Sequence, residues 1–133
     1  MVSSCLACSP SWSPDGKKIV FQTNDGRNDD ICVIDPDGQN LINITNTKGI
    51  IEGSPSWSPI ENKIVYRNQY SAIFICDENG NNKTAKGSNE RVIWPVWSPN
   101  GRKIAYHVIM NRKISDDRPF FQRISDRKRV EFL

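Results

Sequence analysis

Pro10-Ser11-Trp12-Ser13-Pro14, Pro55-Ser56-Trp57-Ser58-Pro59 and Pro95-Val96-Trp97-Ser98-Pro99 are three copies of one phrase, Pro-x-Trp-Ser-Pro, and their spacing decides the fold. The tryptophans stand 45 and 40 residues apart. Four short strands and their turns need about 40–45 residues. Each phrase therefore opens one small antiparallel sheet.

The residues after each tryptophan support this. In the first copy Pro14-Asp15-Gly16 makes a tight turn into Ile19-Val20-Phe21. Pro14 fixes φ at the first turn position, and Gly16 supplies the positive φ that closes a short hairpin. Pro99-Asn100-Gly101 keeps this chemistry before Ile104-Ala105-Tyr106. Pro59-Ile60-Glu61-Asn62 keeps the length and loses the glycine, so its turn is expected to be the most distorted, with Asn62 the residue best able to turn left-handed. Consecutive apolar residues in each second strand, as in Ile64-Val65-Tyr66, mean that both faces are covered.

A second hairpin follows in each repeat. Asp30–Ile34, the turn Asp35-Pro36-Asp37-Gly38 and Leu41–Ile44 form it in the first. Ile73–Cys76, Asp77-Glu78-Asn79-Gly80 and a polar strand near Lys83-Thr84 form it in the second. In the third the strands are expected at Phe120–Ser125 and Val130–Leu133. No stretch keeps a helical period. The prediction is an all-β chain of three four-stranded antiparallel blades of a β-propeller. Residues 1–9 read as a leader, about 10–46 as blade 1, about 54–87 as blade 2 and about 94–133 as blade 3. The repeat residues Trp12, Trp57, Trp97, Gly16, Gly101, Gly38 and Gly80 are assigned to packing and turns.

The run Trp12-Ser13-Pro14-Asp15-Gly16-Lys17-Lys18-Ile19-Val20-Phe21, with Asp30-Ile31-Cys32-Val33-Ile34-Asp35-Pro36-Asp37-Gly38 after it, resembles the WD-repeat-like blade of the TolB family. Similar blades occur in the propellers of prolyl-oligopeptidase-type serine peptidases and of the tricorn protease. The resemblance spans roughly Pro10 to Leu133 and weakens in the second half of the third repeat. It implies a propeller, typically of six blades, that binds other proteins and catalyses nothing. It also implies a periplasmic or other extracytoplasmic setting. Two alternatives are a piece of the propeller that gates a serine peptidase, and a propeller that binds small molecules or sugars.

At 133 residues the chain has room for one domain. Closed propellers usually need four to eight blades. Three make an arc with open apolar ends, and such patches mark interfaces. The arc is expected to be half of a six-bladed ring closed by a second copy, a propeller fragment, or an arc covered by a partner. The net charge of +3 sits at one end: residues 112–133 carry 7 basic and 4 acidic side chains, against 11 and 11 before them. Acidic residues among the basic ones argue against a nucleic-acid footprint.

No run reaches membrane-spanning length, and Met1–Ser9 lacks the basic start and apolar core of a secretory signal. Cys5 and Cys8 have no second pair to complete a zinc site. Cys32 and Cys76 are read as equivalent apolar fillers. No metal or cofactor is expected.

No Gly-x-Ser-x-Gly elbow or phosphate-binding glycine loop is present, and no catalytic residue is assigned. The acidic turns lack the length and terminal glutamate of a calcium loop and read as hairpin turns. In an up-and-down blade the first-to-second and third-to-fourth strand turns share one rim. Those of this chain are short and regular. The other rim holds its irregular loops, where function usually resides. Its aromatic and arginine residues are favoured anchors for a protein partner. The candidate contacts are Arg27, Asp29, Arg67, Tyr70, Arg91 and Trp94, with Glu52, Glu90, Arg91 and Trp94 placed on the crossovers between blades.

Overall fold

The computed structural model describes residues 6–24, 28–70, 72–87, 91–109 and 128–132. They form antiparallel strands in three sheets, with no helix among them. The first sheet runs β1 (Leu6–Trp12), β2 (Ile19–Asn24), β3 (Ile31–Ile34) and β4 (Ile42–Asn43) in chain order. The second repeats this with β5 (Glu52–Trp57), β6 (Ile64–Asn68), β7 (Ala72–Cys76) and β8 (Thr84–Gly87). The third holds β9 (Arg91–Trp97), β10 (Ile104–Ile109) and β11 (Lys128–Phe132).

The sheets stack face to face. Strand β5 packs on β1, β2 and β3, and β9 packs on β5, β6 and β7. Alternation along each strand sends side chains into two separate cores. Val20, Ile31, Val33 and Ile44 of the first sheet meet Trp57, Ile64, Tyr66 and Cys76 of the second. Tyr66 and Phe74, paired across β6 and β7, stack with ring centres 5.4 Å apart. On its other face the second sheet offers Val65, Ile73 and Ile75 to Val92, Ile104, Tyr106, Val108 and Trp97 of the third. Strand β6 is thus sandwiched, which explains its unbroken apolar run.

The inter-sheet joints repeat. The backbone N–H of Trp57 donates to Ser11 Oγ at 3.0 Å, and that of Trp97 donates to Ser56 Oγ at 3.4 Å. The residue before each tryptophan therefore receives the tryptophan of the next sheet. At the corresponding place the third sheet carries Val96.

Several expectations change. The second turn contains no positive φ at Asn62 or Glu61, whereas Gly16 and Gly101 adopt φ of 69° and 65°. Without glycine the turn is held by its own serine: Ile60 and Glu61 N–H groups donate to Ser58 Oγ. The segment 128–132 was expected as a fourth strand. It pairs directly with β10, from Ala105 opposite Phe132 to Ile109 opposite Lys128. An unpaired edge of N–H and C=O groups needs a partner, and this segment supplies it. Phe120–Ser125 lies outside the described residues.

Cys32 and Cys76 are both buried but are not equivalent. Cys32 sits opposite Phe21 and Cys76 opposite Ile64, so the counterparts are Phe74 and Ile34. Strand β1 starts at Leu6, inside the expected leader. Finally, Trp57 is 4% exposed, whereas Trp12 is 60% exposed, because no described sheet lies against its side of β1.

Candidate functional site

The innermost strands β1, β5 and β9 each break register once: between Cys8 and Ser11, between Gly53 and Ser56, and opposite the step from Ala105 to His107. In each bulge a non-glycine residue takes a left-handed backbone: Ser9 (φ 53°), Ser54 (φ 54°) and Trp94 (φ 51°). All three stand three residues before the repeat tryptophan and directly before a proline. Proline has no N–H for the ladder, and a bulge lets the strand continue past it. A left-handed non-glycine residue costs about 1–2 kcal/mol, so such positions point to a site that needs them.

These positions line one open groove of about 410 Å³. Serines form its first two sides, at Ser9, Ser11, Ser54 and Ser56, and Trp94, Val96 and His107 form the third. Trp94 is 57% exposed and stands edge-on to the His107 ring at 5.3 Å. Such an aromatic pair holds the indole in place while one face stays open. His107 Nδ1 is buried and finds no hydrogen-bond partner among the described residues.

Ser54, a residue of the groove wall, connects to a set of polar and charged side chains. Gln22 ties the first sheet to the second: its Oε1 accepts from Ser54 N–H at 3.2 Å and its Nε2 donates to Asp29 Oδ2 at 2.9 Å. Gly53 permits this approach, since a Cβ there would lie 2.5 Å from Gln22 Oε1. Half-buried Arg67, facing the third sheet, has its pKa lowered, first by burial and then by the like charge of Arg91, with Asp29 opposing. Asp29, Arg67 and Arg91 thus share one electrostatic neighbourhood.

Tyr70, 67% exposed, is in the β6–β7 turn, with its N–H on Asn68 Oδ1 at 3.0 Å. No described contact joins it to the other three. Arg27 and Glu90 lie outside the described residues. Glu52, Arg91 and Trp94 were expected on crossovers; they belong to β5 and β9, because the inner strands extend through their bulges.

Sequence reasoning missed one network. Glu52 is 4% exposed at the joint of the first two sheets. Burial raises its pKa, hydrogen bonds from Thr45 and Thr47 work against that, and the neighbouring Asp30 carboxylate adds to the rise. Its Oε2 has no hydrogen-bond partner among the described residues. Asp30 accepts from Asn43 Nδ2 at 2.9 Å and from Thr45 Oγ1 at 3.3 Å. Thr45 belongs to an Asn-x-Thr triplet, and no signal in one repeat shows that it reaches the next. Among the described residues no group of three or more His, Cys, Asp or Glu is placed to hold a metal ion.

No family model matches the chain, and no curated protein matches it. Solved structures do. A TolB candidate of Agrobacterium tumefaciens superposes with a TM-score of 0.76 at 20% identity, over 96% of this chain and 45% of that one. TolB of Acinetobacter baumannii matches at 0.60 and 24% identity, over 81% of this chain and 27% of that one. Oligogalacturonate lyase of Vibrio parahaemolyticus matches at 0.64 and 13% identity, over 87% and 34%. The chain spans less than half the length of each. At these identities the likeness is one of fold: the three stacked sheets have the fold of β-propeller blades, similar to those of the two TolB structures.

Proposed function

We propose that this chain is a non-catalytic propeller module that binds a protein partner at the groove mouth and the adjoining rim. In this reading each repeat is one four-stranded blade, the third included. One observation carries it: Trp94, a large aromatic with a left-handed backbone, is 57% exposed on the same inner strand as Arg91, which shares an electrostatic neighbourhood with Arg67 and Asp29. Exposed tryptophan and arginine on a fixed frame are the side chains that anchor protein interfaces. Serine-lined walls add neutral hydrogen-bonding groups.

The test compares captures from the native source. Wild type and a Lys17→Glu control on the opposite rim should retain the same partner. Trp94→Gly, which keeps the left-handed backbone available, combined with Arg91→Glu should lose it. If the double variant captures the same set as wild type, the rim is not the binding face.

A further inference from the structure

The first blade presents a face built like one that is already occupied. On the second blade, Trp57, Ile64, Tyr66 and Cys76 form the side that enters the first joint, and all four are buried. Their register counterparts on the first blade are Trp12, Ile19, Phe21 and Ile34. These have the same apolar character, yet Trp12 is 60% exposed and the other three are only half-buried. At the other end, Ala105 and His107 lie on the side of β10 away from the second blade, and β11 pairs with that strand at its edge. Val96 is 51% exposed on its inner strand.

We propose that the Trp12 face binds the third blade of a second copy of this chain, in the register of the internal joints. Two arguments select that occupant. What receives Trp57 and Trp97 inside the chain is in each case the far side of a neighbouring blade, so the complement of Trp12 is a blade side, and the third blade has one without a described neighbour. This chain matches 45% of the Agrobacterium structure, so a ring of that size has room for about two such arcs. A two-fold pair of arcs makes both contacts at once, first blade on third and third on first.

The contact is imperfect at one named place. Inside the chain, Ser11 and Ser56 accept the N–H of the next tryptophan. At the joint between copies Trp12 N–H meets Val96, whose side chain has no acceptor, and a buried unpaired donor weakens association. The pair is therefore a reversible dimer that a serine at this position tightens.

Sedimentation equilibrium over a wide concentration range tests this on the whole chain. Wild type should move from 15.1 kDa to twice that mass. Trp12→Ala, at an exposed position that leaves the fold intact, should raise Kd about a hundredfold, as expected for a buried aromatic anchor. Val96→Ser should lower Kd about tenfold through two restored hydrogen bonds per dimer. Circular dichroism confirms that each variant is folded. A wild type that stays monomeric to about 1 mM, where even weak association shows, overturns the proposal. So does a dimer indifferent to both substitutions, or aggregation without a defined dimer.

Discussion

Replacing Trp57 and Trp12 by alanine in turn separates a blade joint from a repeat signature. The two residues occupy the same place in their repeats, so a role inside the blade predicts equal losses. The structure predicts unequal ones. Trp57 is 4% exposed among Val20, Ile31, Val33 and Tyr66. Removing a buried tryptophan costs about 3–5 kcal/mol, from lost transfer energy and the cavity left behind. Its Nε1 has no hydrogen-bond partner among the described residues, and such an unpaired group offsets part of the gain. The lower end, ~3 kcal/mol, is therefore expected. Trp12 keeps 60% of its surface in water, so its removal should cost roughly 1–2 kcal/mol. Urea unfolding followed by circular dichroism, at concentrations where sedimentation shows monomer, gives both values. Equal losses would mean that Trp12 is held by contacts within its own blade and that the open face is not open.

Two further outcomes follow from local geometry. Gly80 has φ 78°, and a Cβ there would run into the carbonyl oxygen of Ile44, whereas Gly38 has φ 85° with open space around it. Gly38→Ala should cost ~1 kcal/mol of backbone strain and Gly80→Ala about 2–4 kcal/mol, the excess measuring the inter-blade approach; urea midpoints in the reverse order would refute it. The second outcome concerns pH. Because the pKa of Glu52 is raised in the fold, the folded state holds this proton more tightly than the unfolded chain. Its contribution to stability is complete below the ordinary carboxylate range and is lost as pH rises through the raised value. Glu52→Gln should therefore melt above wild type at pH 7, with an advantage that shrinks toward pH 4; a gap independent of pH would remove titration as its cause.

The repeat phrase made the blade legible because one tryptophan, one proline turn and one apolar strand recur in fixed order. Three things were not legible. Cys32 and Cys76 stand at nearly the same distance from their tryptophans, but the β6–β7 turn is shorter than the β2–β3 loop, and register follows pairing rather than count. The pairing of β11 was hidden because Val130-Glu131-Phe132 suits either an outer strand or the edge of β10, and sequence does not say which edge is free. At the candidate site, Arg67, Arg91 and Trp94 stood out by residue type. The left-handed turns at Ser9, Ser54 and Trp94 did not, since neither serine nor tryptophan favours that backbone. Thr45 and Thr47 were missed because they act on Glu52 across a blade joint.

Ser11 accepts from Trp57, Ser56 accepts from Trp97, and in each case the accepting serine is the chain neighbour of another repeat tryptophan. Hook and eye are adjacent residues of one short phrase. A gene segment encoding this phrase with its strands carries both halves of the fastening, so tandem duplication yields copies that already fit one another. The third copy has valine where the first two have serine, a change that alters a single coupling and leaves the other two intact.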